Sequence, residues 1–122
     1  MNKINTFRDL IVWQKSHQLT LEIYKITIKF PSEEKYGLIS QMRRAAYSVP
    51  SNIVEGHSRK SKKEFLQFLN IAKGSLEELK YFLILSADLN YISKQEQKQL
   101  EELTEEVSKI LYSFTNKLTA DN

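Results

Sequence analysis

The sequence predicts an all-α protein, an antiparallel up-down-up-down four-helix bundle formed by a single domain over residues 1–122. Only three glycines and two prolines occur among the 122 residues, and apolar residues recur at helical spacings of three and four almost throughout. Short polar segments separate four such stretches, so consecutive helices should be antiparallel neighbours. A chain of this length buries about two thirds of its unfolded surface, enough for one core without a metal ion or disulfide.

The first helix is predicted over about residues 7–29. Thr6 and Asp9 have the spacing of a capping box. Phe30-Pro31 should stop the helix, because the residue before a proline avoids helical geometry. The predicted core seam consists of Leu10, Trp13, His17, Leu21, Tyr24 and Ile28. We expect His17 to be buried and hydrogen-bonded on this seam.

The other helices are predicted over about residues 33–55, 62–89 and 94–118. Their start signals are the acidic segment 31–34, the pair Ser61 and Glu64, and the pair Ser93 and Glu96. The expected apolar positions are Leu38, Met42, Ala45, Val49 and Ile53 in the second helix, Phe65, Leu69, Ala72, Leu76, Leu79 and Leu83 in the third, and Leu100, Leu103, Val107, Ile110 and Phe114 in the fourth. We expect the chain ends, residues 1–5 and 119–122, to fray.

The first and third helices are more apolar than a bundle requires. A helix in such a bundle needs about three apolar positions in seven. The surplus favours a second burial surface, most simply a homo-oligomeric interface, and a broad bundle core is the alternative. The extra apolar positions are Val12, Leu19, Ile23, Ile26 and Phe30 in the first helix, and Leu66, Phe68, Ile71, Phe82, Leu85 and Leu89 in the third.

Pro50 falls inside the apolar pattern of the second helix. A proline in a helix interior lacks an N–H and clashes with the carbonyl four residues earlier, here Ala46, at a cost of about 3 kcal/mol unless the helix bends. We therefore expect a kink near residues 46–50. The alternative is a helix that ends at Ser48, followed by a new helix with Pro50 in its first turn.

Four polar residues of the second helix, Arg44, Ser48, Asn52 and Glu55, are spaced to share one stripe. In a monomer this stripe would be a solvated face. In an oligomer, Ser48, Asn52 and Glu55 become candidates for an interfacial polar network, in which an unpaired group costs about 1–3 kcal/mol. An ion pair between Arg44 and Glu55 would have to cross to another helix or subunit, because they lie about 16 Å apart along one helix.

Two glycines have separate structural interpretations. Gly56 is predicted to be the C-cap of the second helix, in a left-handed conformation. Gly74 lies inside the third helix, where a glycine costs about 1 kcal/mol relative to alanine. We expect close approach of another helix at Gly74, with Ala45 and Ala46 as its small partners.

Basic residues are concentrated in the middle of the chain. Segment 42–87 contains eight basic and four acidic residues, and Arg59, Lys60, Lys62 and Lys63 follow one another closely. Lysines are unfavourable at a helix N-terminus, but a bound phosphate would reverse this effect. We expect phosphate or nucleic-acid contact here, and a plain solubilising loop is the alternative. The candidate nucleic-acid-binding residues are Arg43, Arg44, Arg59, Lys60, Lys62 and Lys63.

Residue types and motifs argue against an enzyme. The chain has no cysteine and only two histidines, His17 and His57, so thiolate sites, disulfides and histidine metal pairs are excluded. Neither a Gly-rich phosphate loop nor a nucleophile elbow occurs. We therefore expect no metal, no cofactor and no catalytic residue. No segment approaches the ~20 apolar residues of a membrane span, which predicts a cytoplasmic protein without membrane association.

Five sequence blocks occur in a characteristic order between Phe7 and about Leu89. They are FRDLIVW (7–13), FP (30–31), QMRR (41–44), SVPSNIVEG (48–56) and AKGSLEEL (72–79). This pattern resembles a known family, the bacterial four-helix-bundle proteins encoded within intervening sequences of 23S ribosomal RNA genes. The resemblance implies an antiparallel bundle assembled as a homopentamer. It also implies similarity to the accessory variability determinant proteins of diversity-generating retroelements, which are basic pentamers that bind nucleic acid and associate with a reverse transcriptase. The corresponding residues, treated as assembly or ligand-contact candidates, are Arg43, Arg44, Ser48, Pro50, Asn52, Glu55, Gly56, Gly74 and Ser75.

The leading functional hypothesis is a non-enzymatic, oligomeric bundle that binds RNA or DNA through phosphate contacts. No aromatic residue lies within the basic run 59–63, so binding should be weakly sequence-specific. A protein-interaction scaffold, or an accessory subunit for a partner such as a reverse transcriptase, is the alternative. A third hypothesis, an enzyme that uses Asn52 and Glu55, would require a deep pocket between helices and a raised pKa for Glu55.

Overall fold

The computed structural model describes residues 6–120, and this part of the chain is helical without any strand. Four long helices are present: α1 (Ile11–Thr27), α2 (Leu38–His57), α3 (Lys62–Asp88) and α4 (Lys94–Ala120). Two short 3-10 turns, Phe7–Asp9 and Ser32–Glu34, precede α1 and α2. The all-α prediction is confirmed. The helix α4 extends through Ala120, so the fraying predicted for residues 119 and 120 is wrong, and residues 1–5, 121 and 122 lie outside the described part.

Each long helix packs against two of the others. The neighbouring pairs are α1 with α2, α2 with α3, α3 with α4 and α4 with α1, and within residues 6–120 no Cα atoms of the diagonal pairs α1/α3 and α2/α4 lie within 8 Å of each other. One core lies between the four helices. All the apolar positions predicted for α2 are buried, and so are those predicted for α3 except Phe65, which is half-buried.

The predicted seam of the first helix holds for Leu10, which is buried, and for Trp13, which packs against the core, and is wrong from His17 onward. Leu21 and Ile28 are exposed by 52% and 77%, and His17 is also exposed, with its ring stacked on Trp13 at a centroid distance of 5.0 Å. The face that enters the core instead carries residues expected to be surplus, together with small hydroxyl residues. It consists of Val12, Ser16, Leu19, Thr20, Ile23 and Thr27.

Buried hydroxyl side chains explain why the core face of α1 differs from the predicted apolar seam. The buried Thr27 Oγ1 donates to the Ile23 carbonyl oxygen at 2.7 Å, and Ser16 Oγ donates to the Trp13 carbonyl oxygen at 3.0 Å. A hydroxyl that bonds to its own helix can be buried without a desolvation penalty. In α4, the buried hydroxyls of Thr104 and Thr115 likewise donate to carbonyl oxygens of their own helix. The core faces of α1 and α4 therefore contain polar residues that apolar spacing alone does not reveal.

Two of the four start signals begin a short 3-10 turn and not a long helix, and the other two begin the predicted helices. Thr6 and Asp9 form the predicted capping box, but it caps the 3-10 turn, and α1 begins only at Ile11 because Leu10 is extended. The acidic segment likewise forms a 3-10 turn, so the second long helix begins at Leu38 and not at residue 33. Ser61 caps α3 as predicted by accepting a hydrogen bond from Glu64 N at 3.1 Å. Ser93 and Glu96 exchange both bonds of a capping box at α4.

Pro50 lies within an uninterrupted α2, so the alternative of a helix ending at Ser48 is wrong. Proline leaves the Ala46 carbonyl oxygen without its usual helical donor. In this fold the hydroxyl of Thr20 on α1 lies 3.1 Å from that oxygen and 2.9 Å from the Ser16 carbonyl oxygen, and both contacts are buried. The single hydroxyl hydrogen of Thr20 is shared between these two oxygens, so a side chain of the neighbouring helix partly replaces the donor that proline removes.

Both glycine predictions are wrong. Gly56 is buried inside α2 and does not have a positive φ, so it is not a left-handed cap. A Cβ at Gly56 would lie 2.7 Å from Phe65 Cδ1 and 2.9 Å from Phe68 Cβ, so close packing of α2 against α3 requires this glycine. Gly74 is exposed, and a Cβ there would meet nothing within 4 Å. The helix approach expected at Gly74 therefore occurs at Gly56 instead.

A polar clasp closes the end of the bundle where α1 ends and α4 begins. Lys29 Nζ lies 2.6 Å from Glu96 Oε1, and the Tyr91 hydroxyl donates to Glu34 Oε2 at 2.9 Å. The hydrogen bond from Lys29, followed by that from the Ser93 backbone N–H, lowers the pKa of the Glu96 carboxyl. The hydrogen bond to Glu34 raises the pKa of the Tyr91 phenol.

We expect the Lys29–Glu96 pair to make stability depend on pH in the acid range. Because the folded-state pKa of Glu96 is lowered, its contribution is complete above the ordinary value of 4.5 and is lost as the pH falls through the folded-state value. Glu96→Gln keeps a capping side chain and should reduce the urea unfolding free energy at pH 7 by less than about 1 kcal/mol, since the pair is partly exposed.

The difference between wild type and Glu96→Gln should shrink as the pH is lowered from 7 to 3. Glu102→Gln is a suitable control, because Glu102 is exposed on the same helix and forms no ion pair with a described residue. A gap between wild type and Glu96→Gln that stays constant across this range would contradict the prediction.

Candidate nucleic-acid interface

The segment between α2 and α3 is a short, well-bonded connection. Ser58 N donates to the carbonyl oxygens of Val54 and Glu55, and Arg59 N donates to the carbonyl oxygen of Gly56. The Ser58 hydroxyl also donates to the Glu55 carbonyl oxygen at 2.6 Å. These bonds and the Ser61 cap hold the basic residues of the connection in a defined position between two helices.

The predicted basic residues of this connection are in different environments. Arg59 Nη2 lies 3.4 Å from Glu55 Oε2, four residues earlier in the chain, and the Arg59 guanidinium lies 4.9 Å from the centroid of the Phe68 ring. Lys60 and Lys63 are exposed, Lys62 is half-buried, and none of the three lysines forms an ion pair with a residue in 6–120. Their ammonium groups are therefore available to an external anion.

The tertiary structure adds basic residues to this end of the bundle that the sequence did not single out. The Phe65 ring at the start of α3 contacts the Phe114 ring near the end of α4 at 5.7 Å, and the 3-10 turn 7–9 packs on α2. Arg8 in that turn and Lys117 in the last turns of α4 therefore lie at the same end of the helices as the basic connection. We call this set the cationic end. It consists of Arg8, Arg59, Lys60, Lys62, Lys63 and Lys117, with Asp9, Glu55 and Glu64 as the acidic residues nearby.

Arg43 and Arg44 are not part of the cationic end. They lie 13 or more residues before the last residue of α2, which is about 20 Å along the helix. Arg43 Nε donates to Thr27 Oγ1 at 2.9 Å, and its guanidinium lies 4.5 Å from the Tyr24 ring centroid, so Arg43 ties α2 to α1. Arg44 is exposed and forms no ion pair with a described residue.

Only part of the predicted polar stripe is connected. Ser48 Oγ and Ser75 Oγ lie 2.8 Å apart, and Asn52 Nδ2 donates to the carbonyl oxygen and hydroxyl of Ser48 at 2.7 and 3.0 Å. Ser75 on α3 thus joins Ser48 and Asn52 in a bridge between two helices of one subunit. Glu55 pairs with Arg59 and Arg44 points to solvent, so neither belongs to this bridge.

Within residues 6–120, no group of three or more His, Cys, Asp and Glu side chains is arranged to hold a metal ion. No helix in the same part of the chain is both long and apolar enough to cross a membrane.

Comparisons with known proteins identify relatives of this chain. A solved crystal structure from Bacteroides thetaiotaomicron VPI-5482, described as a protein of unknown function from the S23 ribosomal protein family, is similar with a TM-score of 0.77 and 26% sequence identity. The similarity covers 86% of this chain and 98% of that one. No curated protein matches significantly. The family model for 23S rRNA-intervening sequence proteins matches residues 8–113. This match covers most of the chain, and the chain therefore belongs to the 23S rRNA-intervening sequence protein family.

Proposed function

We propose that this protein is a non-enzymatic, oligomeric four-helix bundle that binds RNA or DNA through the cationic end. The observation that carries the proposal is the convergence of basic side chains from separate elements at one end of the subunit. Lys60, Lys62 and Lys63 have no ion pair with a described residue. Lysines that are not neutralised within the protein are the groups that bind phosphates and release counterions.

The surroundings of these lysines favour contacts with phosphates over contacts with bases. The aromatic residues nearest to them are engaged within the protein, since Phe65 contacts Phe114 and Phe68 lies under the Arg59 guanidinium. Neither of these two rings is therefore available beside the basic connection as a stacking platform for bases. Phosphate contacts position a nucleic acid without reading its sequence, so we expect weak sequence specificity.

Affinity for structured RNA as a function of salt concentration tests this proposal. The triple variant Lys60→Ala/Lys62→Ala/Lys63→Ala should bind more weakly, and its slope of log affinity against log salt should be shallower by about 2 to 3, since each phosphate contact contributes about 0.7–0.9. A wild-type slope near zero, or an unchanged slope in the variant, would contradict nucleic-acid binding at this end.

A matched control changes the same number of charges at the opposite end of the bundle. Lys35, Lys94 and Lys98 are exposed there, near the Lys29–Glu96 clasp. The triple alanine variant at these positions should retain the wild-type slope. If both triple variants lose slope equally, binding reflects net charge and the cationic end is not the binding surface.

The proposed arrangement is an antiparallel up-down-up-down bundle assembled as a homopentamer, the stoichiometry that the family resemblance implies. Contacts between neighbouring helices support the antiparallel order. Thr20 contacts Ala46 whereas the later Thr27 contacts the earlier Arg43, and Ser48 pairs with Ser75 whereas the earlier Met42 meets the later Ser86. Exposed apolar residues such as Ile28 and Leu21 support self-association.

A protein-interaction scaffold, including an accessory subunit for a reverse transcriptase, is the second candidate function. The same exposed apolar residues favour it, because they fit a partner protein as well as a second subunit. A partner that remains bound after nuclease treatment would support this candidate. The enzyme hypothesis has little support, since Asn52 is bonded to Ser48 and Glu55 is exposed and paired with Arg59.

A further inference from the structure

An open groove runs along the outer surface of the second half of α4. It is lined by Lys109, Tyr112, Ser113, Asn116 and Lys117, all of them exposed. Between residues 107 and 120 this helix carries no acidic residue, and neither lysine of the groove forms an ion pair with a described residue. Since Lys117 belongs to the cationic end, the groove is continuous with the surface proposed to bind nucleic acid.

Tyr112 supplies an exposed aromatic ring within this basic groove. Lys73 Nζ on α3 lies 5.2 Å from the centroid of the Tyr112 ring, so a cation covers one face of the ring and holds it in place. The side chain is nevertheless 62% exposed, which leaves the opposite face open to solvent. An aromatic ring held beside unpaired lysines is the arrangement on which single-strand binding proteins stack bases.

Lys73 is also aligned with the basic connection. Lys62 and Lys73 are 11 residues apart in α3, which is close to three full turns, so they share one face of the helix about 16 Å apart along its axis. This distance is about the length of five stacked nucleotides at 3.4 Å each. No acidic residue lies between residues 65 and 76. A strand that contacts Lys62 can therefore reach Tyr112 within a few nucleotides.

Negative charge limits the groove at the end away from the basic connection. Lys80 Nζ lies 3.2 Å from Glu77 Oε1 and 3.4 Å from Glu105 Oε2, so two carboxylates share one ammonium group. Glu101 and Glu102 are exposed on the preceding turn of α4. Like charges disfavour contact with a polyanion. A bound strand would therefore extend from Tyr112 towards the cationic end and not in the other direction.

We propose that the nucleic acid bound at the cationic end is single-stranded and that it continues along the α4 groove with one base stacked on Tyr112. This inference rests on the nucleic-acid binding of the proposed function and names the class of nucleic acid. A duplex keeps its bases paired and stacked on one another, so only an unpaired base reaches the ring. Stacking accepts every base, in keeping with weak sequence specificity.

Fluorescence anisotropy with two labelled probes tests the inference. The probes are an oligo-thymidine strand of about 20 nucleotides, longer than the common site sizes of single-strand binding folds, and a duplex of the same length. Tyr112→Ala should weaken binding of the strand about 5- to 100-fold, the range for loss of one stacked base, and should leave duplex binding unchanged. The salt slope should not change, because no charge is removed. Tyr112→Phe keeps the ring and should retain the wild-type affinity.

Tyr36→Ala is the matched control. Tyr36 is 87% exposed and has Lys35 Nζ 5.5 Å from its ring centroid, but it lies at the opposite end of the bundle beside Glu33 and Glu34. This variant should bind both probes as the wild type does. Circular dichroism checks that each variant stays folded.

The remaining outcomes separate failure of this inference from failure of nucleic-acid binding. A wild type that binds neither probe would overturn both. Binding of the strand that Tyr112→Ala leaves unchanged, or binding of the duplex alone, would overturn stacking on Tyr112 and leave nucleic-acid binding in place. An equal loss for both probes, an equal loss in Tyr36→Ala, or a Tyr112→Phe variant as weak as Tyr112→Ala would also overturn it.

Discussion

Replacement of Gly56 by alanine should destabilise the subunit, although alanine is the better helix former. The added Cβ would lie 2.7 Å from Phe65 Cδ1 and 2.9 Å from Phe68 Cβ. Overpacking of this kind costs about 1–3 kcal/mol, whereas the gain in helix propensity is at most about 1 kcal/mol. The Phe65 ring can move, but the Phe68 Cβ is fixed to the α3 backbone, so α2 and α3 must separate.

Comparison with Gly74→Ala separates the packing penalty at Gly56 from the gain in helix propensity. The same substitution at an open helical position should increase the unfolding free energy of the subunit by about 1 kcal/mol. Urea unfolding at low protein concentration, which keeps self-association out of the measurement, should therefore give changes of opposite sign at the two glycines. Equal changes at both positions would show that Gly56 is not required by packing.

Thr20→Val should reduce the unfolding free energy measured in urea by about 1–3 kcal/mol, which is the penalty for a buried carbonyl left without a partner. Thr20 Oγ1 is a buried donor 3.1 Å from the Ala46 carbonyl oxygen, which lacks a helical donor because residue 50 is proline. Valine has nearly the shape of threonine, so packing changes little while the donor is lost.

A double-mutant cycle with Pro50→Ala tests this explanation. Alanine at position 50 restores the helical N–H to the Ala46 carbonyl oxygen, and Thr20→Val should then cost less than it does beside proline. Thr104→Val is a control, since buried Thr104 bonds only to the Leu100 carbonyl oxygen of its own helix, and its cost should not depend on residue 50. Additivity of Thr20→Val and Pro50→Ala would contradict the proposed link.

The periodic spacing of large apolar residues predicts α2 and α3 well. Leu69, Leu76 and Leu79 are buried as expected, because a strict heptad leaves one face for the core. Helix α1 differs, because it carries two apolar stripes and only one of them is buried. Spacing cannot show which stripe faces the neighbours, and the buried face includes Ser16 and Thr27, whose hydroxyls bond to their own helix. The stripe predicted for the core is exposed from His17 to Ile28.

The candidate site was predicted in part. The run of Arg59, Lys60, Lys62 and Lys63 is local in sequence, and the Ser61 cap that positions it follows from a four-residue pattern. The contribution of Arg8 and Lys117 depends on which helix ends meet and has no local signal. Arg43 was predicted to bind nucleic acid from its charge alone, and the structure places it against Tyr24 and Thr27.

Asn90 is a structural residue that a local signal could have identified. Its φ of 63° makes it the one non-glycine residue of the described chain with a positive φ, and Tyr91 N donates to the Ser86 carbonyl oxygen at 2.9 Å to close the end of α3. Asparagine is the usual substitute for glycine at such a position. Asparagine at position 90 is therefore a local sequence signal for the end of α3.

The sequence by itself determined the all-α class, the four helices, the caps at Ser61 and Ser93, and the family. These depend on interactions within a few residues or on periodicity along one helix. Only the tertiary structure decided the roles of the two glycines, the donor for the Ala46 carbonyl and the face of α1 that is buried. Each of these depends on which atoms of two helices meet, and no spacing within one helix specifies that meeting.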